Sequence, residues 1–198
     1  MITIAVTGGI GAGKSETIGI LRKLGAKTIS ADLLGHASYA KGTAGHAEVI
    51  KAFGERIVNE DGEIDRKVVA AIVFNDEPKR RTLESIVWHR IREMLERKIS
   101  LNRDCHIDVT AIEAAVFFEA GWDELVDRVW TVEASYHQRL ARIIEKSGMD
   151  EHAARARMDA QLAPEIRIER ADETIFNDGD LTTLEQSVTR LWEATTTT

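Results

Sequence analysis

The chain has 198 residues, enough for one domain or for one domain with a sizeable insertion. An apolar fraction of 43% supports a real core, and the 30% of charged residues spread among recurring Leu, Ile, Val and Phe exclude global disorder. The 26 basic and 33 acidic side chains leave a net charge of −7, which does not suit a non-specific nucleic-acid binder. No apolar run approaches the roughly 18 residues that span a bilayer, so the chain reads as soluble, cytoplasmic and without a membrane partner. The opening MITIAVTGG lacks a basic region and runs straight into glycines, so it does not read as a signal peptide. One cysteine, Cys105, excludes an internal disulfide and a cysteine-rich metal site, and fits a reducing compartment.

Ile2, Ile4 and Val6 form a β-branched run that predicts a strand ending at Thr7. A helix is expected from about Gly13 to Leu24, stopped by Gly25. Lys27 to Ser30 reads as a second strand, with Asp32 just beyond its carboxyl end. Strand, helix and strand in this short span make a βαβ unit, so the sheet should be parallel. Residues 32–103 are expected to be a helical insertion, broken by a turn at Asn59-Glu60-Asp61-Gly62, with Asp65 capping a helix over Arg66 to Phe74 and a longer helix over Glu77 to Ser100. Cys105 to Ile112 and Arg128 to Val132 read as the third and fourth strands. Helices are expected at Tyr136 to Glu145 and Glu151 to Leu162, then a short strand at Thr174 to Phe176 and a closing helix at Leu181 to Glu193. The tail 195–198 reads as frayed. The expected class is α/β, with residues 1–31 and 104–194 forming the core around a five-stranded parallel sheet in three layers.

The sharpest motif is Gly8-Gly9-Ile10-Gly11-Ala12-Gly13-Lys14-Ser15, a full match to G-x-x-x-x-G-K-[ST] between a predicted strand and a predicted helix. Glycines let the backbone wrap an anion, and the loop N–H groups and the helix N-terminus supply positive potential. Lys14 can neutralise the β- and γ-phosphates of a nucleotide, and the Ser15 hydroxyl can ligate the Mg²⁺ that bridges them. The loop alone does not choose between a kinase, a GTPase and a motor ATPase. A GTPase should carry an N/T-K-x-D segment, and none is found. The nearest match to an ATPase Mg²⁺ segment, Thr110-Ala111-Ile112-Glu113, ends in Glu. Small size with a helical insertion favours a kinase for a nucleotide or small metabolite.

In that context the chain resembles the bacterial dephospho-coenzyme A kinase family, from Ile4 to about Trp192. TGGIGAGKS (Thr7 to Ser15) is close to the family's loop, and ISADLLG (Ile29 to Gly35) resembles its I-D-A-D segment. Phe53 to Asp76 resembles F-G…DG-x-[IL]-D-R, WHRI (Trp88 to Ile91) resembles L-H-P-x-I, VFFE (Val116 to Glu119) resembles P-L-L-F-E, and ADETIFNDG (Ala171 to Gly179) resembles A-D-x-x-I-x-N-x-G. The resemblance implies transfer of the ATP γ-phosphoryl group to the 3′-hydroxyl of dephospho-CoA, with the helical insertion binding the acceptor and a lid at about 137–170 closing over ATP. The alternatives are a P-loop kinase for another acceptor and a nucleotide sensor whose catalysis has decayed.

The same resemblance assigns Asp32 as general base. A carboxylate at a strand's carboxyl end suits that role, and an N-cap for a helix starting at Leu33 is the structural alternative. Arg139, Arg142 and Lys146 share a helix face. Arg142 matches a lid arginine that stabilises the transferring phosphoryl group, while Arg139 and Lys146 read as a solvated basic face. The nucleotide contacts implied are Gly8, Gly9, Gly11, Ala12, Gly13, Lys14, Ser15, Glu16 and Asn177, the last also readable as a turn residue before Asp178-Gly179. His89 and Glu119, with Asp32, are the implied acceptor contacts. A packed core-edge histidine and a helix-terminal charge are the alternatives for the first two. Residues 79–103 hold eight basic and three acidic side chains, a local surplus that would suit an anionic acceptor. A monomer or weak homo-oligomer is expected. Six departures stand out: Ser30 replaces the first Asp of I-D-A-D, Arg90 and Ala115 replace prolines, Lys41-Gly42 stands where Pro-Gly is common, Glu113 stands where Asp is common, and Lys146 replaces a lid arginine.

Overall fold

A computed structural model of the chain describes residues 1–74 and 76–196. It divides into two compact units, residues 1–30 with those from 99 onward, and residues 31–98.

The first unit holds strands β1 (Ile2–Gly8), β2 (Lys27–Ser30), β3 (Val109–Glu113), β4 (Arg128–Glu133) and β5 (Glu173–Phe176). They form one parallel sheet in the order β2-β3-β1-β4-β5. The fold is therefore α/β, as the βαβ pattern implied. Central β1 is buried along nearly its whole length, which is why it reads as an apolar run. Its Ile4 and Val6 pack with Trp130 and Val132 of β4. Helices α1 (Lys14–Lys23) and α9 (Leu181–Thr196) cover this face with Ile18, Leu21, Leu184 and Val188. Each such fully buried side chain contributes about 1.5–3 kcal/mol. The alternate residues of β1, Thr3, Ala5 and Thr7, point to the other face, where Thr131 and Glu133 of β4 are also buried.

The second unit holds α2 (Ala31–Ser38), α3 (Ala44–Phe53), α4 (Arg66–Phe74) and α5 (Glu77–Asp104), the last running on into the first unit. Thr43 caps α3 by accepting the His46 N–H at 3.1 Å. Asp65 caps α4 by accepting the Lys67 N–H at 2.9 Å, as expected. The turn at Asn59 is built by its side chain, which accepts the N–H groups of Asp61 and Glu63. Val49, Phe53, Ile57, Ile64 and Val69 form the core of this unit.

Three expectations need correction. The third strand starts at Val109, not Cys105, because α5 extends to Asp104 and ends in a left-handed residue, His106, with φ 57°. The Ile107 N–H reaches back to Asn102 O and the His106 N–H to Arg103 O, which completes a Schellman cap. The helix expected over Glu151 to Leu162 ends at Asp159, and a separate α8 (Pro164–Arg170) begins with Pro164 at its first position. Between α6 (Tyr136–Ser147) and α7 (Glu151–Asp159) the chain turns at Gly148. Finally, Thr195 and Thr196 belong to α9; positions 197 and 198 of the expected tail lie outside the described residues. No helix among the described residues is long and apolar enough to cross a membrane.

Candidate active site

The loop between β1 and α1 takes the shape its glycines permit. Gly8, Gly11 and Gly13 have φ of 140°, 77° and 110°, conformations that an L side chain resists. A Cβ at Gly8 would lie 2.2 Å from the Val132 carbonyl oxygen. Ala12 is fully buried, and its N–H donates to Gly9 O at 3.2 Å. Gly13 sits at the N-cap of α1, so the loop delivers its last N–H groups at a helix N-terminus. Lys14 Nζ folds back over the loop and donates to Gly8 O at 2.8 Å and Gly9 O at 3.0 Å.

Ser15, in the first turn of α1, donates its hydroxyl to Glu113 Oε1 at 2.7 Å. Glu113 closes β3, and its register partner on β2 is Ser30. A hydroxyl and a carboxylate meeting beside the loop are hard oxygen donors, the kind Mg²⁺ takes alongside substrate phosphates. Glu16 lies 3.8 Å from Lys146 in an exposed ion pair.

Asn177, just past β5, is buried, and its Nδ2 donates to Ala12 O at 2.8 Å. Its own N–H donates to Glu133 O at 2.7 Å. It is thus part of the wall of the loop, and the turn follows it. Arg142 of α6 donates to Gly11 O at 3.4 Å, Gln138 Oε1 at 2.9 Å and Asn177 O at 2.9 Å. The structure therefore gathers Gly8, Gly9, Gly11, Ala12, Gly13, Lys14, Ser15, Asn177 and Arg142 around one loop.

Arg139 corrects the expectation of a solvated basic face. Only 4% exposed, it donates Nε to Ile10 O at 3.0 Å. Burial, with Arg167 nearby, holds its pKa below the ordinary arginine value. Lys146 does remain exposed. Gln161, Glu133 and Arg167 escaped the sequence reading altogether. Gln161 Oε1 accepts the Ile10 N–H at 2.8 Å, from a segment with no local signature. Glu133 closes the RVWTVE strand, and a charge at the end of an apolar run was the available signal.

Glu119 is exposed, and its Oε1 accepts the Leu162 N–H at 3.4 Å. In the second unit, Asp32 lies exposed inside the first turn of α2, which begins at Ala31. It is therefore not the N-cap of a helix starting at Leu33. His89 is exposed on α5, 3.6 Å from Glu93, rather than packed at a core edge.

A parallel sheet with a full phosphate loop between β1 and α1, closed by a lysine and flanked by an arginine-bearing helix, defines a P-loop nucleotide-binding protein. The family model for dephospho-CoA kinase matches residues 2–183. Dephospho-CoA kinase of Moorella thermoacetica is 37% identical over 194 residues, covering 98% of this chain and 92% of that protein. The same-named protein of Geobacter sulfurreducens is 35% identical, covering 97% of this chain and 98% of that protein. Among solved structures, dephospho-CoA kinase from Campylobacter jejuni superposes with a TM-score of 0.72 at 27% identity, covering 98% and 97% of the two chains. Shikimate kinase from Acinetobacter baumannii shares the fold alone, with a TM-score of 0.53 at 14% identity over 98% and 93%. The chain belongs to the dephospho-CoA kinase family and is a kinase, a transferase.

Proposed function

We propose that this chain transfers the γ-phosphoryl group of ATP to the 3′-hydroxyl of dephospho-CoA, giving coenzyme A and ADP. The observation that carries this reading is the phosphate loop, with Lys14 and Arg142 both donating to its carbonyls. Phosphoryl transfer asks little covalent chemistry of a protein, so catalysis is positioning and charge balance.

In this reading the loop N–H groups receive the phosphate oxygens. Lys14 exchanges the Gly8 and Gly9 carbonyls for the β- and γ-phosphates. Arg142 does the same from Gly11 O and Asn177 O, and stabilises charge that grows on the transferring group. Ser15 and Glu113 would hold Mg²⁺, which when bound supplies charge neutralisation at the phosphates. Asp32 orients the 3′-hydroxyl and takes its proton, leaving the oxygen to attack the γ-phosphorus in line while ADP departs. Glu16 and Asn177 complete the nucleotide contacts, and His89 and Glu119 are assigned to the acceptor. We assign the protein to the cytoplasm, as a monomer or weak homo-oligomer; its exposed thiol, Cys105, suits a reducing compartment.

The test is ADP release from Mg·ATP with dephospho-CoA, run beside shikimate, AMP and CMP, with the product checked by mass for one added phosphate. Turnover on dephospho-CoA alone, lowered about 10²-fold or more by Asp32→Asn with ATP affinity unchanged, is expected. Turnover on another acceptor, or none on dephospho-CoA, would overturn the reading.

A further inference from the structure

The back of the phosphate loop rests on a buried charge cluster. Glu133 is 3% exposed and Arg167 of α8 is 2% exposed. Arg167 donates Nε to Glu133 Oε1 at 2.6 Å and Nη2 to Oε2 at 2.8 Å, and the Thr131 hydroxyl adds a bond to Oε1 at 2.8 Å. One arginine therefore engages both oxygens of this carboxylate. Arg139 is a second buried arginine, and its donors meet neutral oxygens: Ile10 O at 3.0 Å and Gln161 Oε1 at 3.5 Å. No carboxylate lies within ion-pair distance of Arg139 among the described residues; Glu133 and Asp159 act on it only at longer range. A guanidinium does not shed its proton in a protein. Two buried cations and one buried anion thus leave one positive charge in surplus. Such a charge is costly to bury without an anion to meet it.

Its position says which anion. A Cβ at Gly9 would come within 2.5 Å of Arg139 Cζ and Nη2, so the guanidinium lies directly against the loop. Ile10 is held at both backbone groups, its carbonyl by Arg139 and its N–H by Gln161. The Arg139 main chain also crowds Gly11, where a Cβ would lie 2.7 Å from its carbonyl oxygen. Three successive loop residues therefore take their placement from the start of α6 and from the connection between α7 and α8.

We propose that Arg139 is a positioning residue for the nucleotide, which fixes the Gly9–Ile10 stretch through the Ile10 carbonyl and supplies the surplus positive charge that the nucleotide's phosphate groups neutralise. The proposal rests on the loop being the ATP site. Its ligand class is a nucleoside polyphosphate, and its effect grows with the number of phosphates.

Calorimetric titration of the full chain with ATP, ADP and adenosine tests it. Arg139→Gln should weaken ATP binding by about tenfold, the order expected for one unit charge acting over ~10 Å at an effective dielectric of about 20. ADP binding should weaken less, and adenosine binding should not change. Arg139→Lys, which keeps the charge, should preserve the ATP-to-adenosine affinity ratio within about threefold. A purely structural role would lower the Tm and weaken all three ligands alike, and that result overturns the proposal. A folded Arg139→Gln chain with parental ATP affinity also overturns it. Should Arg139→Gln fail to fold, the Lys variant decides, since a collapsed ratio there removes the role of charge. Parental protein that binds no ATP would instead defeat the reading of the loop itself.

Discussion

The side-chain amide of Asn177 occupies the space that a side chain at Gly13 would need: Nδ2 lies 2.2 Å from where the Cβ would be. The same nitrogen donates to Ala12 O, so one asparagine both bonds the loop and demands a glycine beside it. Gly13→Ala should therefore cost about 1–3 kcal/mol of stability and weaken ATP binding by about tenfold or more. Asn177→Ala alone should cost about 1 kcal/mol by leaving the Ala12 carbonyl without its donor. The double variant should be more stable than the sum of the single effects, because the clash is gone, yet less stable than Asn177→Ala, because φ at residue 13 remains 110°. Strict additivity in denaturant unfolding would show that the two residues do not meet.

Ser15 and Glu113 should act as a pair. Ser15→Ala removes the hydroxyl that donates to Glu113 Oε1 at 2.7 Å. The Mg²⁺ concentration for half-maximal turnover should rise by about tenfold, while ATP affinity without metal stays within about twofold. Glu113→Gln should show the same signature. Mg²⁺ titrations at fixed ATP check this, and a change confined to metal-free ATP binding would remove both residues from the metal role.

The Glu133–Arg167 pair is buried at both ends. Arg167→Met would leave an ionised carboxylate in the interior with only the Thr131 hydroxyl, at a cost of about 3–5 kcal/mol. For a chain of this size that is a Tm fall of about 10 °C. Adding Glu133→Leu should recover more than half of the loss, because the stranded charge is then gone. Thermal unfolding that shows the double variant no better than Arg167→Met would mean that packing, not charge, sets the cost.

How much of this was legible in advance depended on how local each cause was. The loop was readable because its eight residues are contiguous and each type answers one requirement of anion binding. The Asp65 cap was readable for the same reason. The start of β3 was not, since Ile107 continues the strand-like alternation while the end of α5 is set by a left-handed His106, a position sequence favours for glycine. The break between α7 and α8 falls in Ala160-Gln161-Leu162-Ala163, all good helix formers. What opens it is distant: Gln161 takes the Ile10 N–H, and Leu162 O accepts a short bond from Arg167. Arg139 and Lys146 show the limit of periodicity. Spacing puts both on one face of α6, but not how far along that face the loop extends, and so one is buried and the other solvated.

Arg90, which stands where the family resemblance would place a proline, organises a charge triad in an unbroken α5. Its guanidinium forms a short bond to Glu48 and a 2.7 Å bond to Glu93. Those hydrogen bonds hold both carboxyl groups below their ordinary pKa of 4.5, and raise that of Arg90 itself. A depressed acid stabilises the fold above its unfolded pKa and loses that contribution as pH falls through the folded value. The triad should therefore act fully at neutral pH and fade below pH 4.5. Arg90→Leu should lower the Tm at neutral pH, and the gap to the parent should narrow steadily as the pH is taken below that value. Because the triad is only half-buried and solvent reaches its charges, added salt should narrow the gap as well. A Tm difference that stays constant across the acid range would mean that Arg90 stabilises α5 through its aliphatic packing and not through its charge.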